Sequence, residues 1–237
     1  MLMGSDARLR QWAREVERPD DEIDLARAAL ELARIGHPDL DFAPSLRRLD
    51  QLADGAGVPT IGDPRVRLSG VRQHLFEELG FAGDRERYYH ERNSFLNEVL
   101  ERRRGIPIAL TLVLMEVGRR VGLEIAGVGL PGHFVAALDV EGERVLVDPF
   151  HGGEVLTAER CREVVAKAVG RQVAITAAHL VPVGKRALLA RMLRNLESLY
   201  LREGRWDRAT DVADRLHVLD PSLDGPRRTR HAMARLN

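Results

Sequence analysis

The residues best suited to chemistry are a histidine and an aspartate in neighbouring apolar runs. His133 stands in Pro131-Gly132-His133-Phe134-Val135 and Asp148 in Leu146-Val147-Asp148-Pro149-Phe150. Between the runs, Glu141-Gly142 has the composition of a tight hairpin turn. With those two residues in the turn, Val140 pairs with Glu143 and Val135 falls opposite Asp148. His133 then shares that face as a diagonal neighbour, roughly 7–8 Å away at the backbone and within side-chain reach. A carboxylate that accepts from one imidazole nitrogen fixes the tautomer and leaves the other nitrogen free as a base. The plainer alternative is a structural His–Asp hydrogen bond, and spacing alone does not separate the two.

A base needs a water or a nucleophile to act on. A thiol is most readily activated at a helix N-terminus, where the dipole lowers its pKa. An apolar helix is expected from Pro107 to Val121, with proline in the first turn, where its missing N–H costs nothing. The residues at that end are Gly105, Ile106, Pro107, Ile108 and Ala109, and none is nucleophilic. Thr111 lies one turn further in. The single cysteine, Cys161, falls in Ala158-Glu159-Arg160-Cys161-Arg162 on a later helix. The flanking arginines could lower its pKa, but it reads as an ordinary helix residue. One cysteine also excludes an intrachain disulfide or a cysteine-based zinc site.

Other signals are weaker. His90, His133, Asp148 and His151 are ligand-type residues, yet no local motif such as H-E-x-x-H joins them, so no metal is expected. Gly127-Val128-Gly129-Leu130-Pro131-Gly132 satisfies G-x-G-x-x-G, but Pro131 interrupts it and a strand follows, so no nucleotide cofactor is expected. Arg102-Arg103-Arg104 reads as a solvated helix end paired with Glu98 or Glu101; a phosphate or acidic partner is the sharper alternative. Arg227-Arg228-Thr229-Arg230 reads as surface charge.

The elements that must position the pair are of both kinds. The first stretch, residues 1–86, reads as a helical cover, with helices at Ala7 to Val16, Asp21 to Ile35, Ser45 to Gly55 and Val71 to Leu79, and no strand. In the core, residues 87–183, Asn93 or Ser94 is expected to cap a helix running to Arg103, ended by Gly105. The Pro107 helix, apolar on most faces, is the central buried one. Strands follow at Ile125 to Val128, His133 to Val140 and Glu143 to Val147, then a helix at Thr157 to Val169 and a further strand at Val173 to Thr176. This is an α+β core, a buried helix on a small antiparallel sheet. From residue 184 to 237 the chain is helical again. Leu193, Leu196, Tyr200, Gly204, Trp206, Ala209, Ala213 and Pro221 fall at spacings like those of a tetratricopeptide repeat of ~34 residues. A last helix at Pro226 to Leu236 would follow. One repeat cannot bury its face alone, so it should pack on the core.

Composition sets the outer limits. In 237 residues, 44% are apolar and 30% charged, enough for a real core, and the formal net charge of zero offers no field for nucleic acid or anionic lipid. No apolar run approaches the ~20 residues of a membrane span, and the first residues lack the pattern of a signal peptide. A cytoplasmic protein, without a nucleic-acid or membrane partner, is expected.

Several longer words then become informative together: Glu91-Arg92-Asn93-Ser94-Phe95-Leu96-Asn97, Glu101-Arg102-Arg103-Arg104-Gly105-Ile106-Pro107-Ile108, Gly132-His133-Phe134-Val135 and Asp148-Pro149-Phe150-His151-Gly152-Gly153. In this order they resemble the bacterial Sir-type family, which has a transglutaminase-like domain of papain-like type followed by tetratricopeptide-like repeats. The resemblance runs from Leu75 to the C-terminus. It implies a Cys–His–Asp triad in which His133 matches the histidine and Asp148 the aspartate. The cysteine position falls near Pro107, where this chain departs from the pattern. The expected function is therefore a non-catalytic interaction or regulatory scaffold with His133 and Asp148 as a remnant dyad. Asn93, Arg103 and His151 would be binding residues, and a protein partner would dock on the C-terminal helices. The alternative is a hydrolase or acyltransferase with His133 as general base, oriented by Asp148.

Overall fold

The computed structural model describes residues 2–222. Its N-terminal part is helical, in pieces set by local signals. Helix α1 spans Leu2–Val16, and a 3-10 turn at Asp20–Glu22 leads into α2, Leu25–Ala33. Asp24 rather than Asp21 starts α2, its carboxylate accepting from the Arg27 N–H as an N-cap. Helix α3 (Ala43–Gly55) has a proline in its first turn. Helix α4 (Pro64–Arg72) is capped by Asp63 and widens without a break into a π-helix, Gln73–Glu78. The expected helix from Val71 to Leu79 is thus the end of a longer one.

The expectation of no strand in this stretch fails at one place. Strand β1 (Ala82–Gly83) pairs in parallel with β2 (Arg104–Gly105). A two-residue strand has no alternation to read, so periodicity could not reveal it. Between them lies α5, Leu96–Arg102, whose N-cap is Phe95. Asn93 and Ser94, expected as caps, belong to a preceding 3-10 turn and its end. The helix stops at Arg103, which takes the left-handed conformation at φ 56°, and Gly105 lies beyond it in β2. The three arginines do not pair with Glu98 or Glu101 as expected. Arg102 donates to Asn93 Oδ1 and Asp84 Oδ2, and Arg103 and Arg104 donate to the carbonyls of Leu79 and Gly80. Arg103 and Arg104 tie the chain to the residues just after the π-helix, with Arg104 still exposed.

Helix α6, Pro107–Arg120, is the buried axis, with Ile108 through Leu114 and Val117 all enclosed. It is followed by the sheet: β3 (Ala126–Val128), β4 (Val135–Val140), β5 (Glu143–Asp148), β6 (Glu154–Leu156) and, after α7 (Ala158–Val169), β7 (Pro182–Val183). The strand order is β6-β5-β4-β3-β7, all neighbours antiparallel. The β4–β5 register sets Val140 against Glu143 and Ala136 against Val147. Residues Val173 to Thr176 form no strand; the fifth strand is β7.

Alternation along β4 divides the interior. Ala136, Leu138 and Val140 face a large core that includes α6, while Val135 and Ala137 face a smaller one with Cys161, Val164 and Val165 of α7. A strand buried on both faces reads as a continuous apolar run. The large core draws on all three stretches of the chain, from Trp12 through α6 to Leu219.

At the C-terminal end α8 (Lys185–Arg202) and α9 (Trp206–Leu219) pack side by side, joined through Gly204 at φ 67°. Leu193, Leu196, Tyr200, Ala209 and Ala213 are buried in their contacts. The pair is fastened to the rest of the chain. Asp20 accepts from the Lys185 and Arg186 N–H groups at the α8 N-terminus, and Trp12 Nε1 donates to the Arg215 carbonyl. The expected helix at Pro226 to Leu236 and the Arg227–Arg230 run lie outside the described residues.

Candidate functional site

His133 sits just ahead of β4 in a turn made by Pro131 and Gly132. Gly132 takes φ 67°, and a Cβ there would crowd Ala168 and Val169 of α7. The His133 N–H closes the turn onto the Leu130 carbonyl. Asp148 ends β5 and starts the 3-10 turn Pro149–His151, and its Oδ1 accepts from the Phe150 and His151 N–H groups. The next two residues, Gly152 and Gly153, both have positive φ, and a side chain on Gly153 would overlap the Phe76 ring of the π-helix. Arg72 Nε donates to the Gly153 carbonyl. The sharp turn after Asp148 is therefore built by glycine and held from the π-helix.

The two side chains meet. His133 Nε2 and Asp148 Oδ2 are 2.7 Å apart, with Asp148 fully buried and His133 nearly so. His151 joins them: its Nδ1 lies 2.8 Å from the same oxygen. Burial alone would push the Asp148 carboxyl up. Hydrogen bonds from His133 and His151 and their charge outweigh burial and hold it well below the usual carboxylate range. An ionised Oδ2 accepts from both rings, which puts the protons on His133 Nε2 and His151 Nδ1. In its neutral form each imidazole then keeps one lone pair free, on Nδ1 of His133 and Nε2 of His151.

Aromatic rings surround the pair. Phe150 stands edge-on to His133 at 6.0 Å, to His151 at 5.3 Å and to Tyr88 at 5.8 Å. Arg191 of α8 reaches in from behind. It donates to the His133 and Leu130 carbonyls and lies over the Phe134 ring at 5.1 Å. Burial pushes its pKa down. No sequence signal assigns Arg191 or Tyr88 to the site, and Phe150 stands out only as part of the Asp148 motif. Arg191 lies far along the chain in an arginine-rich helix, and nothing local marks it out.

The expected residues do not all converge. Asn93 is fully buried, donates to the Arg87 carbonyl and accepts from Arg102. Its backbone carbonyl takes the Ile106 N–H ahead of α6. Arg103 binds the Leu79 carbonyl and lines a groove with His37, Arg48 and Glu101. His90 starts a separate 3-10 turn, where its ring accepts from the Arg92 N–H. Of the four ligand-type residues, the structure gathers His133, Asp148 and His151.

The start of α6 lies beside this site. Phe150 packs on Gly83 of β1, which pairs with Gly105, two residues before Pro107. The helix also packs against the Pro149–His151 turn. The helix begins with Pro107, Ile108 and Ala109 after its N-cap Ile106, all apolar and buried. Thr111 Oγ1 is buried without a hydrogen bond among the described residues. Cys161 is enclosed on α7 among Val128, Leu130, Val135 and Leu156. Its sulfur makes no hydrogen bond with His133 among the described residues. Burial, and then the charge of Asp148, pushes the thiol pKa up, so the thiolate is disfavoured.

The sequence profile of the transglutaminase-like superfamily matches residues 7–194. A "UPF0162 protein" of Xylella fastidiosa is 39% identical over 212 residues, covering 86% of this chain and 74% of that one. Another, of Vibrio cholerae, is 30% identical over 199 residues, 81% of this chain and 73% of that one. The mouse F-box only protein 21 is 34% identical over 146 residues, which is 58% of this chain and 22% of that protein. No solved structure matches the chain. Among the described residues no helix is long and apolar enough to cross a membrane.

Proposed function

The chain belongs to the transglutaminase-like superfamily, and from that premise we propose that it is a non-catalytic scaffold that binds another protein, with His133 and Asp148 as a remnant dyad. One observation carries this reading. The helix end beside the dyad is apolar from Ile106 to Ala109, and the lone thiol is buried on a different helix with its pKa pushed up. A base and its orienting carboxylate remain without a group to activate.

The same reading places the docking surface on the outer faces of α8 and α9, as a single tetratricopeptide-like unit in a Sir-type protein of the cytoplasm. Their inner faces are taken up by the core. A likeness confined to 22% of F-box only protein 21 is what a module carried within a larger protein would give. On this reading residues 1–86, 87–183 and 184–237 act as cover, core and tail. Arg103 and His151 then serve as binding residues at the groove and at the dyad, with Asn93 shaping the neighbourhood from within.

A second reading keeps His133 as a general base acting on water, because Asp148 leaves its Nδ1 lone pair free. A panel of ester, amide and glutamine-donor substrates separates the two. The scaffold reading expects no turnover above buffer. Turnover that His133→Ala abolishes, with the melting temperature unchanged, would replace it with the second.

A further inference from the structure

Asp148 Oδ2 is the meeting point of two imidazoles from different elements, one ahead of β4 and one on the turn after β5. The three donor atoms lie within 4.8 Å of one another and are mostly buried. No arginine or lysine pairs with this carboxylate among the described residues; its partners are the two rings and two backbone N–H groups. Other histidine–acid contacts, His37 with Glu98 and His74 with Glu78, bring only two donors each.

We propose that His133 Nε2, Asp148 Oδ2 and His151 Nδ1 bind one divalent transition-metal ion of the zinc class. Two imidazoles and a carboxylate are the borderline nitrogen and oxygen donors such ions take, and three protein ligands leave a fourth position open. The bonding balances without redox change. Each ring proton moves from the nitrogen facing Asp148 to the opposite nitrogen of the same ring, and the vacated lone pairs bind the ion. Metal bonds of about 2.0–2.1 Å in a tetrahedral arrangement set the ligand atoms about 3.3 Å apart. Each ring nitrogen must therefore move about half an ångström away from Asp148 Oδ2, from 2.7 and 2.8 Å. His151 is the ligand best able to move, because its side chain is part-exposed while His133 and Asp148 are buried. Asp148 Oδ1 stays anchored by its two backbone N–H groups. Metal binding would also place a proton on His133 Nδ1 and so remove its free lone pair. The proposal names a ligand for the site that the scaffold reading leaves without a nucleophile, and takes only the site's location from that reading.

The test is titration of the full chain, stripped with chelator, with Zn²⁺ by calorimetry and with Co²⁺ by visible absorbance. The expected result is one ion per chain with micromolar or tighter affinity and cobalt bands of four- or five-coordinate geometry. His151→Ala and Asp148→Asn should each weaken binding by at least about 100-fold. Zinc should raise the melting temperature of the wild type and not of His151→Ala. His151→Ala keeps the test sound should Asp148→Asn fail to fold. Absence of saturable binding below about 100 µM ion, or binding that survives His151→Ala, overturns the metal site and leaves the scaffold reading standing. Turnover of substrate by the metal-free chain would count against the scaffold reading alone.

Discussion

Two buried polar clusters in this chain meet the same problem differently. At the dyad, Asp148 lies fully buried and each of its oxygens has two partners. Between α1, α2 and α9, Glu31 and Arg215 are also buried beside the half-buried Arg34, yet among the described residues Glu31 Oε2, Arg34 Nε and Arg215 Nε and Nη2 have no hydrogen bond. Arg34 does bind Glu31 and Gln11, and Arg215 binds Asp211. The first cluster is a closed network and the second an open one. A satisfied buried network is rigid and costly to break, while one with unpaired atoms has already lost much of its worth to desolvation. Nothing in the bare sequence ranks them in that order, since the open cluster has more formal charge.

The difference can be broken first at Asp148. Asp148→Ala should cost about 3–5 kcal/mol in urea unfolding, because it strands two imidazoles and two backbone donors. A loss under 1 kcal/mol would mean that the network contributes little. The matching change in the open cluster, Glu31→Gln with Arg215→Met, should shift stability by no more than about 1 kcal/mol in either direction.

Acid and base dependence sharpen the contrast because the two carboxyls move oppositely. The Asp148 pKa is lowered by folding, so its contribution is present above the ordinary aspartate value and lost as pH falls below it. Asp148→Asn should flatten the acid limb of a plot of urea midpoint against pH. The Glu31 pKa is raised by folding, by burial against the pull of Arg34 and Arg215. Its protonated form is favoured, so its contribution is present below the ordinary glutamate value and lost as pH rises through the folded one. Glu31→Gln should remove that decline. A steeper decline in Glu31→Gln would reverse the assignment. The smallest effect is expected at Thr111, whose hydroxyl is buried and unpaired in α6. Thr111→Val should be neutral or stabilising by a few tenths of a kcal/mol, since it removes a polar group that has no partner. A loss of more than about 1 kcal/mol in the same unfolding experiment would show a hidden partner.

Much of the site-bearing part of the fold was legible in the residues. Glu141-Gly142 set the hairpin and its register, and Pro107 with the apolar run behind it set the central helix. Both are local rules of turn chemistry and periodicity. What escaped was non-local or too short for a period. The β1–β2 pair joins two dipeptides with α5 between them. β7 follows a long irregular stretch, while Val173 to Thr176, with good strand composition, is left unpaired. At the site, His133 and Asp148 could be placed together because one hairpin carries both. His151 was named from its motif alone, and its shared bond to Asp148 depends on the turn that Gly152 and Gly153 permit. Arg191 comes from α8, and no pattern within a single element could bring it to His133.

Labelling of Cys161 by an acyl-type thiol probe at neutral pH, read by intact mass in the wild type and in His133→Ala, tests the non-catalytic assignment most directly. A dyad without a nucleophile predicts no adduct on the folded chain and equal, full labelling of both proteins in urea. A stoichiometric adduct on the folded wild type that disappears in His133→Ala would contradict it.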